Sequence, residues 1–371
     1  MIQREARSKI ITINAEVLAV YKNFVKVLLF SCLLVGISAC QSVSVEPTVA
    51  PVDDTNFTTE AELPDIGKIV VGHAPIIAGA PVYVALEKGY FAEQGLEIEL
   101  QTFRGAAAML APLSTGQVDV GVSSLSTASL NAFQKDINIQ IVAGIEGANS
   151  LALVVRKNLA DNGEVSTVAD LAGRKLATNA IKSLSEYTLY NTLKKGNLTL
   201  DDIELVTMPF PDIILALENE AIEAALLPHP FVGRAIDEEI GVVVAGGGDT
   251  RQVFELFFGQ RLLEPANREV GVRFLMAYLK GARDLQNEGW KTEENAAIIN
   301  KHTEIPIPTI QKVPEYYLDM NGDLNLASLE EQMLYYVGQG YTSFSEPIPV
   351  EEFVDTSFLE EALERVGKFE E

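Results

Sequence analysis

The chain has almost no cysteine: Cys32 and Cys40 are the only two among 371 residues. Both stand within the first 40 residues, so the remainder can form no disulfide and offers no thiol for catalysis or metal binding. Histidine is nearly as scarce, with His73, His229 and His302 alone. No His-x-x-x-His pair exists, which removes a common zinc arrangement, and no G-x-S-x-G nucleophile elbow is present. Gly246-Gly247-Gly248 lacks the Lys-Ser/Thr of a phosphate loop and reads as a turn or hinge. Positive charge is also short. Lys and Arg number 28 against 52 Asp and Glu, a formal charge of −24 that repels nucleic acid and anionic lipid. Such a charge does not by itself exclude an anionic ligand, because a few local cations can still hold one. These absences leave little for hydrolytic or metal-dependent chemistry, so no catalytic residue, metal or cofactor is expected.

The N-terminus points to a compartment. Arg4, Arg7, Lys9, Lys22 and Lys26 form a basic lead, and residues 27–37 (VLLFSCLLVGI) form an apolar core too short for a comfortable membrane span. Ile37-Ser38-Ala39-Cys40 then matches the lipobox of bacterial lipoproteins, in which small residues admit the peptidase and the thiol takes up diacylglycerol. A short anchor with an incidental cysteine is the other reading. Residues 1–39 are therefore expected to be a signal peptide, Cys40 the lipidation site and 40–66 a disordered tether rich in Ser, Thr, Pro, Asp and Glu. Loss of a lead holding five basic and two acidic residues takes the charge to about −27. The mature protein is expected outside the cytoplasm, lipid-anchored to the cell membrane.

From residue 69 the apolar pattern changes period. Ile69, Val70 and Val71 end at Gly-His-Ala-Pro, a helical segment runs to Lys88, and Leu96, Ile98 and Leu100 alternate as in a strand. After another small-residue loop and helix, a strand over 118–122 ends in Ser123-Ser124. Strand, loop and helix in succession predict βαβ units on a mostly parallel sheet. The alternation restarts after Val165, with a helix from Ser166 or Thr167, a strand at 175–177, a polar loop over 179–185 and a helix over 186–195. A strand at 203–210, a helix at 213–219 and a strand at 222–231 follow. Two α/β lobes with a cleft between them are predicted. Residues 67–155 and 250–340 form lobe one, 156–249 lobe two, and 341–371 a C-terminal segment packing on lobe one. The runs 151–155 and 253–258 are the expected outward and return crossovers. A long helix is expected over 265–289, and Ser328 with Glu331 reads as a capping box. Asp319, Asn321, Asp323, Asn325 and Glu330 have the spacing of a calcium loop, but Leu324 stands where that loop requires glycine, so the metal reading fails.

Open α/β sheets bind ligands beyond the carboxyl ends of their strands, and this selects the candidate contacts. His73 and Pro75 follow the first strand. Ser123, Ser124 and Thr127 end the third strand and open a helix, where hydroxyls and free N–H groups collect. In lobe two the matching loop carries Asn179, Ser183, Ser185 and Tyr187, the last with a ring suited to stacking on a planar ligand. His229 and Phe231 are set between and after prolines. Arg104 could clamp an anion. The same residues also fit plainer roles: helix capping for the serines, core packing for the aromatics, a solvated face for the arginine.

The segments APVYVALEKGYFAEQGLEIEL and LSTGQVDVGVSS resemble the solute-binding proteins of ABC importers, the SsuA/THI5/NMT1-like family. The resemblance implies a two-lobed, periplasmic-binding-protein-like fold that closes on a small molecule and delivers it to a permease and an ATPase, working as a monomer. A cleft poor in cations and bearing hydroxyls and aromatics argues for a planar heteroaromatic vitamin or precursor, such as riboflavin or a thiamine aminopyrimidine. An aliphatic sulfonate resembling taurine, or nitrate, is the alternative within the binding class. A pyrimidine-synthase-like enzyme using pyridoxal phosphate is the alternative outside it, although the Cys-rich motif of those enzymes is missing.

Overall fold

The computed structural model describes residues 63–135, 137–146, 151–246, 253–313 and 317–370. The signal peptide, Cys40 and most of the tether lie outside the described residues. Within them, no helix is long and apolar enough to cross a membrane.

Among the described residues, ten strands form two five-stranded sheets. The first holds β1 (Ile69–His73), β2 (Ile98–Thr102), β3 (Val120–Ser123), β4 (Gln140–Glu146) and β10 (Phe254–Phe258), in the order β2-β1-β3-β10-β4. The second holds β5 (Leu151–Arg156), β6 (Lys175–Thr178), β7 (Glu204–Thr207), β8 (Ala224–Pro228) and β9 (Gly241–Gly246), in the order β7-β6-β8-β5-β9. In each sheet one strand runs against its two neighbours, β10 in the first and β5 in the second, and the other neighbouring pairs are parallel. That strand is the one arriving from the other lobe. The sheets are mixed, although mostly parallel, for that reason.

One boundary moves. The sequence places 151–155 in lobe one, whereas β5 pairs with β8 and β9 of the second sheet. A short run such as LALVV is buried on both faces and carries no periodicity to say which sheet receives it. The run 253–258 does join the first sheet, as β10.

Each sheet is covered on both faces. The helix Arg268–Arg283 places Val272, Leu275 and Leu279 against β1, β3, β4 and β10, together with Ala80–Glu87 and Ser357–Val366. It is shorter than 265–289: the 3-10 turn Pro265–Asn267 precedes it, and Asn287 and Glu288 adopt left-handed backbone beyond its end. The opposite face is covered by Leu326–Gly338, whose Leu329, Gln332, Met333 and Tyr336 recur at helical spacing and are buried. That helix is capped one turn earlier than expected. Asn325 accepts the N–H of Ser328 at 3.1 Å, so Ser328 supplies the donor rather than the cap. Just upstream, Asp319 accepts the N–H groups of Asn321 and Asp323, a backbone turn in the segment with calcium-loop spacing. Helices Leu184–Lys194, Phe210–Glu218 and Phe231–Asp237 cover the second sheet.

Candidate functional site

The candidate contacts occupy the carboxyl ends of neighbouring parallel strands. β1 and β3 are adjacent in parallel, so His73 and Ser123 end side by side. β6 and β8 are adjacent in the same way, so the loops carrying Asn179–Ser183 and His229 leave the second sheet together. The Leu326–Gly338 helix touches both sets. Gln332 Nε2 donates to Leu125 O at 3.0 Å and to Tyr336 Oη at 2.9 Å, and Tyr335 Oη donates to Glu186 Oε1 at 2.8 Å. Leu125 follows Ser124 in lobe one, and Glu186 begins a helix of lobe two.

In lobe one, His73 is buried and its Nδ1 lies 2.8 Å from Tyr83 Oη and 3.2 Å from Ala74 O. Burial holds its pKa below the ordinary imidazole value, with the nearby His302 acting in the same sense and the Ala74 carbonyl opposing. Pro75 is exposed. Ser123 is buried at the end of β3, and Ser124 is half-buried. Ser126 caps the Thr127–Phe133 helix and exchanges hydrogen bonds with Ser129 in a capping box. Thr127 keeps a buried Oγ1 with no protein partner. Arg104 is exposed on the loop after the edge strand β2.

In lobe two, Asn179 is exposed and Ser183 Oγ turns back to Ala180 O at 2.9 Å. Ser185 is buried. Tyr187 is only 4% exposed, its ring set against Tyr335 and Tyr336 with centroids 5.2 and 6.3 Å away. A ring engaged in this way is an interlobe packing element rather than an open stacking platform. Phe231 likewise packs on Phe210 at 5.5 Å. His229 is half-buried at the cis His229–Pro230 bond, and burial lowers its pKa.

The sequence reading missed the carboxylates. Glu255, within β10, is wholly buried opposite Ser123. Its Oε2 accepts the N–H of Leu125 at 3.0 Å, while Oε1 has no partner. Loss of water pushes its pKa up to about 8, against the Leu125 bond and with the help of Glu146. Glu146, the buried last residue of β4, pairs with Phe254 beside it. Glu186, 1% exposed, accepts the Lys182 N–H at 3.0 Å as well as the Tyr335 phenol. The visible signal was the lone Glu inside VFELFF, since a carboxylate inside an apolar strand needs an explanation. Among the described residues no cluster of three or more His, Cys, Asp or Glu is placed to hold a metal ion.

Residues 77–235 match the family described as NMT1/THI5 like. The taurine-binding periplasmic protein of Escherichia coli K12 is 30% identical over 154 residues, 41% of this chain and 46% of that protein. The chain thus spans about half the length of that relative. The riboflavin-binding protein RibY of Chloroflexus aurantiacus is 23% identical over 326 residues, 84% of this chain and 85% of that one. The periplasmic nitrate-binding protein NrtA of Synechocystis PCC 6803 superposes with a TM-score of 0.68 at 15% identity, covering 82% of this chain and 90% of that one. This likeness establishes the periplasmic-binding-protein fold and no more. By its region 77–235, the chain is similar to the NMT1/THI5-like family.

Proposed function

We propose that this chain is the solute-binding component of an ABC importer, held outside the cytoplasm by a lipid on Cys40 and delivering its solute to a permease and an ATPase. Its solute is a planar heteroaromatic vitamin or precursor that donates hydrogen bonds, such as riboflavin or an aminopyrimidine. Binding, not catalysis, is its activity.

The observation that carries the ligand class is the set of buried carboxyl groups at the site. Glu255 and Glu146 are buried at the strand ends of lobe one and Glu186 in the first turn of the Leu184–Lys194 helix, whereas Arg104, the basic candidate in the first lobe's loops, is exposed. Carboxyl groups beside a binding site offer acceptor oxygens to N–H and O–H donors, and wherever they ionise they disfavour an anion. The match to RibY, over 84% of this chain and 85% of that one, supports the same direction. The taurine-binding relative, more similar over a shorter stretch, favours a second reading in which Arg104 clamps a sulfonate.

Calorimetry with riboflavin, an aminopyrimidine, taurine and nitrate tests the ligand class. Riboflavin or the aminopyrimidine is expected to bind, and tight binding of taurine or nitrate alone overturns the reading. Cys40→Ala tests the anchor. The variant is expected to leave the membrane fraction or stay unprocessed, and a mature N-terminus other than Cys40 in the wild-type protein counts against the lipid.

A further inference from the structure

His73 is held from behind by three layers. Tyr83 is wholly buried and meets the His73 ring edge-on, with centroids 5.3 Å apart at 75°. The other side of Tyr83 is stacked by His302 at 4.8 Å and 20°. Glu87 closes the stack, accepting from His302 Nε2 at 2.8 Å and from Lys301 Nζ at 2.6 Å. The phenol is seated where Gly79 has no side chain. A Cβ on Gly79 would stand 2.4 Å from both Cζ and Oη of Tyr83, far inside contact distance.

The proton positions follow from counting donors. A phenol has one proton, and burial keeps Tyr83 from giving it up by pushing its pKa well above the ordinary tyrosine value. Tyr83 Oη donates that proton to Ala74 O at 3.1 Å, so it presents a lone pair to His73 Nδ1. Ala74 O presents another to the same nitrogen. Two acceptors converge on Nδ1, which must therefore carry the ring proton. In a neutral imidazole the other nitrogen is then an acceptor. Among the described residues His73 Nε2 has no protein partner.

We propose that Tyr83, seated over Gly79 and backed by His302 and Glu87, is a positioning residue that fixes His73 with its proton on Nδ1, so that Nε2 accepts from the ligand and the site selects solutes carrying an N–H or O–H donor there. This rests on the reading of His73 as a ligand contact. Nitrate and sulfonate oxygens can only accept, and they would meet a second lone pair. A ring amino group, an imide N–H or a hydroxyl fits.

The full chain contains only three histidines, so nitrogen-15 NMR of the imidazoles resolves each ring, with His73→Gln and His229→Gln giving the assignment. In the ligand-free protein the His73 ring is expected to show a protonated Nδ1 and a bare Nε2, and Tyr83→Phe is expected to mix the two tautomers. Gly79→Ala, which displaces the phenol without removing it, should do the same. A wild-type His73 protonated on Nε2 overturns the proposal, and so does a tautomer unmoved in both variants. With riboflavin or an aminopyrimidine added, the His73 Nε2 resonance should shift as it accepts a hydrogen bond. Tyr83→Phe should weaken that ligand about tenfold, the worth of one hydrogen bond. Binding that leaves Nε2 unmoved overturns the ligand's donation to it. Failure of these solutes to bind at all sinks the proposed function, while the ligand-free tautomer still decides the positioning role.

Discussion

The two sheets share one strand order and differ in what they place at its end. In both, a strand from the other lobe fills the fourth position, β10 in the first and β5 in the second. Opposite the last residue of β3 the first sheet sets Glu255, whereas opposite the last residue of β8 the second sets Leu151. The last residue of β4 is Glu146, and that of β9 is Gly246. Same scaffold, opposite chemistry: lobe one carries buried carboxyl groups at the strand ends, and lobe two fills the corresponding places with an apolar side chain and none. Topology, then, is common to the two lobes, and single residues at the strand ends set the chemistry of each.

The largest expected effect comes from erasing that difference. Native Glu255 has a pKa raised to about 8, above its unfolded value, so between the two values the native state binds the extra proton. Stability is therefore full below the unfolded carboxyl pKa and falls as pH rises toward 8, by at most about 5 kcal/mol. Urea unfolding at pH 5 and pH 8.5 should reveal the loss in the wild type, and Glu255→Gln should remove it. The reciprocal change, Leu151→Glu, should create a similar loss in lobe two. Equal pH dependence in wild type and Glu255→Gln would dissolve the contrast between the lobes.

Next in size are the contacts by which the lobes meet. Tyr187 belongs to lobe two yet its ring is buried against Tyr335 and Tyr336. Tyr187→Ala should cost about 3 to 5 kcal/mol of stability, as large aromatic truncations in a core do. Tyr335→Phe should cost less, about 1 to 3 kcal/mol, by taking a donor from the buried carboxylate of Glu186. It should also move the lobes apart, visible as a longer distance between spin labels. Introduced cysteines for that purpose would compete with no native thiol beyond Cys32 and Cys40. An unchanged distance would make the contact a pivot that persists in every state.

How much of this was legible follows from the range of the interactions. The alternation of strands and helices, with His73 and Ser123 at strand ends, depends on neighbours in sequence and could be read there. The helix over 326–338 was legible too, but its cap was not, because Asn325 and Ser328 are both competent and the backbone decides between them. β5 was assigned to the wrong lobe because its five apolar residues are alike toward either sheet. Tyr187 looked available for a ligand because the residues that cover it lie about 150 positions away. Glu255 stood in plain view within VFELFF, and only the partner of its Oε2, the Leu125 N–H, required the structure.

The smallest expected effect concerns Arg104, and it separates the two ligand readings. This residue is exposed at the end of the edge strand β2, on the lobe whose strand ends otherwise carry carboxyl groups. A neutral solute held by His73 and the hydroxyls takes nothing from a guanidinium there. Its affinity should be the same within about twofold in Arg104→Gln, and should change little between low and high salt. An anion clamped by Arg104 behaves otherwise, because an exposed pair is screened over a Debye length of about 8 to 10 Å at ordinary ionic strength. Taurine or nitrate affinity would then fall steeply with salt and be nearly abolished by Arg104→Gln. Calorimetry on both proteins at two salt concentrations distinguishes the cases. If the variant loses its ligand while Glu255→Gln keeps it, the cation of lobe one selects the solute and its carboxyl groups serve only the fold.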